Sequence, residues 1–158
     1  KPSVARWNMA TGEINPMPYE YPDLKKVRFI YAASAEHQLY VQCYTQYDLM
    51  TICDFNGNLK CNIYGPKWVN EKTQTQHYSL GVEFCGDKIL ALYSGGDHRT
   101  DAYYPTKFLV FDLNGNYLKT LETGYMITDF CYDKENNRLI INLNDEIQFA
   151  YLDLEGII

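Results

Sequence analysis

The chain is poor in the residues that would announce a chemistry. It has only three histidines and five cysteines in 158 residues. Cys43, Cys53, Cys61, Cys85 and Cys131 are odd in number and contain no C-x-x-C pair, and His37, His77 and His98 are scattered, so no zinc constellation is present. The cysteines lie in or beside apolar runs and are expected to be buried free thiols. Only Cys53 and Cys61 sit on one predicted hairpin, and the predicted register sets them diagonally. Positive charge is also scarce. Lys plus Arg is 14 against 20 Asp plus Glu, a net charge of −6, which argues against nucleic acid or an anionic membrane as a partner. The longest apolar runs, such as Ile89–Tyr93 and Phe108–Phe111, fall far short of the roughly 18 residues of a spanning helix, so direct membrane insertion of this segment is not expected. No signal peptide is visible and position 1 is Lys, which reads as a mature or trimmed product. There is no nucleophile elbow, phosphate loop or dinucleotide fingerprint, and no cofactor is expected.

What the chain has is tyrosine, 15 of them, with Thr, Val and Ile. These are strand formers, and no segment carries a convincing helical period. The decisive feature is internal repetition. Leu49–Lys60, Phe108–Lys119 and Phe149–Ile158 each read as an apolar run, then Asp-x-(Asn or Glu)-Gly, then a second apolar run. The Asp carboxylate accepts backbone N–H groups at the turn and the Gly takes a positive φ. A three-residue loop with a glycine bulge then sets Asp54 opposite Asn58, Cys53 opposite Leu59 and Cys61 opposite Thr51. A strand precedes each hairpin, starting at Leu39, Ile89 and Leu139, 50 residues apart each time. A further strand precedes each of these: Val27–Ala33, Ser79–Phe84 and Ile127–Tyr132.

Each repeat is therefore a meander of four short antiparallel strands. The strands are apolar on both faces, where a sheet with one wet face would alternate. Four-stranded units covered on both faces are the blades of a β-propeller. The rival is an immunoglobulin-like sandwich, which does not repeat its hairpin at matching places. Residues 1–158 are thus expected to form one partial all-β propeller of about three and a half blades. Residues 1–14 end a blade, with Asn8 in the place of the hairpin Asp. Residues 27–64 form a blade, 78–122 a blade with an inserted loop at 95–106, and 126–158 a blade. The Pro-rich linker Asn15–Lys26 is expected to pack on one face of the disk.

The runs Lys88–Gly95, Phe108–Gly115 and Tyr132–Leu139 resemble the C-terminal half of the TolB-like six-bladed β-propeller proteins of the Bacteroidetes type. The resemblance covers most of Tyr78–Leu154 well and the first half more loosely. It implies an extracytoplasmic protein, in the periplasm or at the cell surface, often lipid-anchored through a segment upstream. It also implies a native chain about twice this length and no established catalytic residues.

Candidate contacts come from two loops. The insertion carries Asp97, His98, Arg99, Asp101 and Tyr103, and a polar loop on a rigid scaffold is where ligands are met. The loop 65–77 carries Trp68, a residue type enriched at binding hot spots. The leading expectation is a non-catalytic module that binds a protein, peptide or glycan. The remaining blades of a longer chain, or a second copy, would cover its open edges. The alternative is a metal-dependent, lactonase-like propeller hydrolase, with Glu83 and Asp129 from two innermost strands at a central channel. A calcium loop at Asp-x-Asn-Gly-Asn lacks the further carboxylates such a site needs.

Overall fold

A computed structural model describes residues 5–17, 24 and 27–158. The fold is all-β. An N-terminal hairpin pairs β1 (Ala5–Trp7) with β2 (Ile14–Pro16). Sheet A contains β3 (Phe29–Ser34), β4 (Leu39–Tyr44), β5 (Leu49–Asp54) and β6 (Leu59–Tyr64). Sheet B contains β7 (Thr75–Cys85), β8 (Lys88–Asp97), β9 (Lys107–Asp112) and β10 (Tyr117–Glu122). Sheet C contains β11 (Ile127–Asp133), β12 (Arg138–Leu143) and β13 (Phe149–Asp153). Within each sheet, chain order is spatial order and every pair is antiparallel. The linker residues 18–23 and 25–26 lie outside the described residues.

The hairpins form as their sequence dictates. Asp54 Oδ1 accepts the N–H groups of Asn56 (2.8 Å) and Asn58 (2.9 Å), and Oδ2 accepts the Asn58 amide at 2.8 Å. Asp112 repeats this with Asn114 and Asn116. Gly57 and Gly115 stand at φ 88° and 86°. Asn8 does the same work in the N-terminal hairpin, where its Oδ1 accepts Ala10 N–H at 3.0 Å. One predicted pairing fails. Cys53 does face Leu59, but Cys61 faces Ile52 rather than Thr51, because Lys60 is extruded as a bulge. Leu118 is extruded at the matching place in sheet B. All five cysteines are free, and Cys131 is exposed, against the expectation of burial.

The hairpin Asp also corrects the repeat. Asp54 pairs with Leu39, Asp112 with Lys88 and Asp153 with Arg138. Leu39 therefore corresponds to Lys88 and Arg138, and the even spacing of 50 hides an offset of one residue. Side chains alternate between faces along a strand, so this offset decides which side each residue covers. In β8, Ile89 and Ala91 join the core between sheets A and B, while Leu90 and Leu92 join the core between sheets B and C. In β9, Phe111 faces A, while Phe108 and Val110 face C. Sheet B is thus covered on both faces, a three-layer stack that a two-sheet sandwich lacks. The first strands of the three sheets lie side by side, with β7 contacting both β3 and β11.

Candidate functional site

The insertion differs from the expected projecting loop. Gly95–Asp97 extend β8, with Asp97 opposite Thr75 and Gly96 opposite Gln76. A short 3-10 turn, Asp101–Tyr103, follows, its N-terminus capped by the Thr100 hydroxyl. The candidate side chains at this end largely satisfy one another. Asp97 takes the Arg99 guanidinium at 2.6 and 3.0 Å, which holds its carboxyl well below the usual carboxylate range. His98 donates from Nδ1 to the Gln74 carbonyl at 2.9 Å. Asp101 opens the turn, and Tyr103 stacks on Tyr104 at 4.2 Å. Trp68 does not join them. It packs edge-on to Tyr64 at 4.8 Å and beside Tyr47 at 6.2 Å, against the cluster around Tyr44 and Leu49. Glu83 and Asp129 interact: burial and then the Asp129 charge raise the Glu83 pKa. Among the described residues, no group of three or more His, Cys, Asp and Glu is arranged to hold a metal.

A different constellation lies between sheets A and B. The turn before β5 places Asp48 beside Gly65, because Leu49 pairs with Tyr64. Asp48 is 1% exposed. Its carbonyl accepts Gly65 N–H at 2.8 Å, and its Oδ2 accepts Lys67 N–H at 2.9 Å. A Cβ on Gly65 would lie 2.2 Å from the carboxylate atoms, so only glycine lets the carboxylate lie across this backbone. The same turn is sewn to β7 by His77 N–H, which donates to the Thr45 carbonyl at 2.7 Å. This brings in the buried His77 ring, with Nδ1 3.2 Å from Tyr93 Oη and 3.8 Å from Asp48 Oδ1.

Beside this buried trio opens a cleft of about 500 Å³. Tyr64, Tyr93 and Tyr117 contribute rings to its wall, and Ile63, Leu109 and Phe111 contribute apolar surface. Lys67 and Lys107 supply the positive charge. The Lys107 ammonium sits 5.7 Å from the centre of the Tyr93 ring. Tyr93 Cε1 and Lys67 Nζ lie 3.1 and 3.4 Å from one point beside Gly95, so they are at most 6.5 Å apart. Two ammonium groups therefore lie near one phenol. Neither forms an ion pair with a carboxylate among the described residues.

Comparison with family models and with curated proteins gives no match to this chain. Its chemistry therefore rests on the cleft itself. Burial pushes the Tyr93 phenol up, and Asp48 adds to this, so the hydroxyl keeps its proton. Burial pulls the His77 pKa below its usual 6.5 against the pull of Asp48, and Lys67 adds to the lowering. His77 is therefore neutral at pH 7. The unfolded chain takes up this proton at a higher pH than the folded chain. The stability so gained is present above about pH 6.5 and is lost as the pH falls toward the lower folded value. Urea midpoints measured at about pH 7.5 and about pH 5.5 are expected to fall more for the native chain than for His77→Gln. Equal falls would remove His77 as the source. The exposed carboxylates Asp54 and Asp112 titrate below their ordinary 3.8 and stay outside this window.

The sequence reading missed Asp48, Lys67, His77, Tyr93 and Lys107 as a group. One signal was available. In the register counted from the hairpin Asp, Lys107 falls where sheet A has the fully buried Leu49, and a lysine at a core position of a repeat is a departure worth following.

Proposed function

We propose that the chain is part of a β-propeller and serves as a non-catalytic binding module in an extracytoplasmic compartment. A protein, peptide or glycan would be its ligand, and the sheets would be consecutive blades. The stacked sheets with adjacent first strands support the propeller reading. The resemblance to TolB-like proteins supports the compartment, and no described helix is long and apolar enough to cross a membrane.

The observation that carries the binding reading is the cleft between sheets A and B, where two lysines without ion-pair partners among the described residues face a tyrosine wall. Such a site can grip a ligand, with two cations for an acid group and rings for an apolar body. The insertion end, Asp97 to Tyr103, is a second contact surface at most, because Asp97 and Arg99 use their charges on each other. A panel of peptides, proteins and glycans screened by biolayer interferometry tests this. A ligand found there is expected to weaken about tenfold or more with Tyr64→Ala plus Tyr117→Ala, both half-exposed rings. Alanine at Asp97, His98, Arg99, Asp101 and Tyr103 is expected to change affinity little. The reverse pattern would move the site to the insertion. Turnover of a panel member, with bound divalent metal and loss on Glu83→Gln or Asp129→Asn, would favour the hydrolase.

A further inference from the structure

We propose that the cleft between sheets A and B takes a small organic anion, a carboxylate on an aromatic or otherwise apolar body. The acid group would sit between Lys67 and Lys107, and the body would lie along Ile63, Leu109 and Phe111. The inference deepens the binding reading above and rests on it.

Three observations fix the ligand chemistry. First, the charge is positive where the chain as a whole carries −6. The one carboxylate in the cleft wall, Asp48, is 1% exposed and already accepts Lys67 N–H beside His77. The two ammonium groups are therefore left to serve something else. Second, both are held near one ring: Lys107 lies over the Tyr93 face at 5.7 Å, and Lys67 lies within 6.5 Å of the ring edge, so an acid group placed at this ring meets positive charge from two segments. The Tyr93 hydroxyl keeps its proton, so this phenol adds no negative charge. Third, most of the remaining lining is apolar and aromatic, and the volume is that of a small-ligand site. A bare inorganic anion would leave this lining wet. A neutral apolar body would leave the lysines unused.

The test uses the whole chain and two probes of one shape, 2-naphthoate and 2-naphthylmethanol, with inorganic phosphate as a third arm. Binding is read by calorimetry and by amide chemical shifts. Naphthoate is expected to bind about tenfold or more tightly than the neutral alcohol and than phosphate, with shifts at Gly65, Lys67, Ser94 and Lys107. Lys67→Met with Lys107→Met is expected to bring naphthoate down to the level of the alcohol, and its unfolding midpoint serves as the folding control. Leu109→Gln is expected to weaken naphthoate and leave phosphate unchanged. Equal binding of naphthoate and alcohol overturns the anion site, as does naphthoate binding that survives the double lysine change. Phosphate binding as tightly as naphthoate overturns the apolar body. Failure of all three probes overturns this inference alone if a panel ligand still binds through Tyr64 and Tyr117. Failure of probes and panel together overturns the binding reading.

Discussion

Replacing Phe108 with alanine is expected to cost about 3–5 kcal/mol of folding stability, the range for emptying a buried phenylalanine site. Phe108 is fully buried in the core between sheets B and C and meets Phe130 edge-to-face, with ring centres 4.9 Å apart. The site cannot collapse cheaply. Its neighbours Leu90, Leu92 and Val110 are fixed by strand pairing on one side, and Phe130 is held on the other, where its ring lies 2.8 Å from the place a Cβ on Gly81 would take. Domains of this kind have only about 5–15 kcal/mol to lose. The loss would be read as a drop in urea midpoint at unchanged slope, and Phe108→Leu is expected to cost under about 1.5 kcal/mol. A loss below about 1 kcal/mol for alanine would mean that sheets B and C are not packed as described.

The second large effect concerns association. Counted from the hairpin Asp, Met50, Phe108 and Phe149 occupy one position of the three sheets, and Ile52, Val110 and Tyr151 another. In sheets A and B these residues are fully buried or nearly so by the next sheet. In sheet C, Phe149 is 68% and Tyr151 63% exposed. Sheet C thus carries the same apolar face as its predecessors with no described sheet packed on it, only the Arg138 guanidinium lying over the Tyr151 ring at 5.3 Å. Exposed patches of this kind beside an open strand edge drive association. The 18.4 kDa chain is expected to form larger species in light scattering as concentration rises. Phe149→Ser with Tyr151→Ser is expected to suppress them while shifting stability by no more than about 1 kcal/mol. Association unchanged by the pair, or a native chain that stays monomeric at every concentration tried, would refute the open face.

How much could be read from residues alone follows from range. The Asp-x-Asn-Gly turns are local, since one carboxylate, two N–H groups and one positive φ lie within five residues, and they stand as expected at Asp54 and Asp112. The stacking of sheets was legible in strands such as Phe108–Phe111, because a strand apolar on both sides must be covered on both. The bulges at Lys60 and Leu118 were not, because extruding a residue leaves no mark in composition and shows only in the hydrogen-bond ladder. The end of the insertion was misjudged because Gly95 and Gly96 look like loop residues, yet Gly96 sits in a strand where a Cβ would strike the Ala102 carbonyl. The cleft is non-local. Its lysines, tyrosines and Asp48 come from segments as far apart as residues 48 and 117, and no window of sequence contains them together.

The one-residue offset in the repeat bears on any attempt to build new proteins from these units. A strand of the first sheet grafted into either of the others by aligning Leu39 with Ile89 or Leu139 would enter its host inside out, its two faces exchanged along the whole strand. The safe splice point is the turn carboxylate, whose pairing with Leu39, Lys88 and Arg138 stays in phase across all three sheets. Evolution faces the same rule. Material added between the second and third strands, like the nine residues of sheet B, is tolerated when it leaves that phase intact, and a duplicated unit is interchangeable with its neighbours only on that frame.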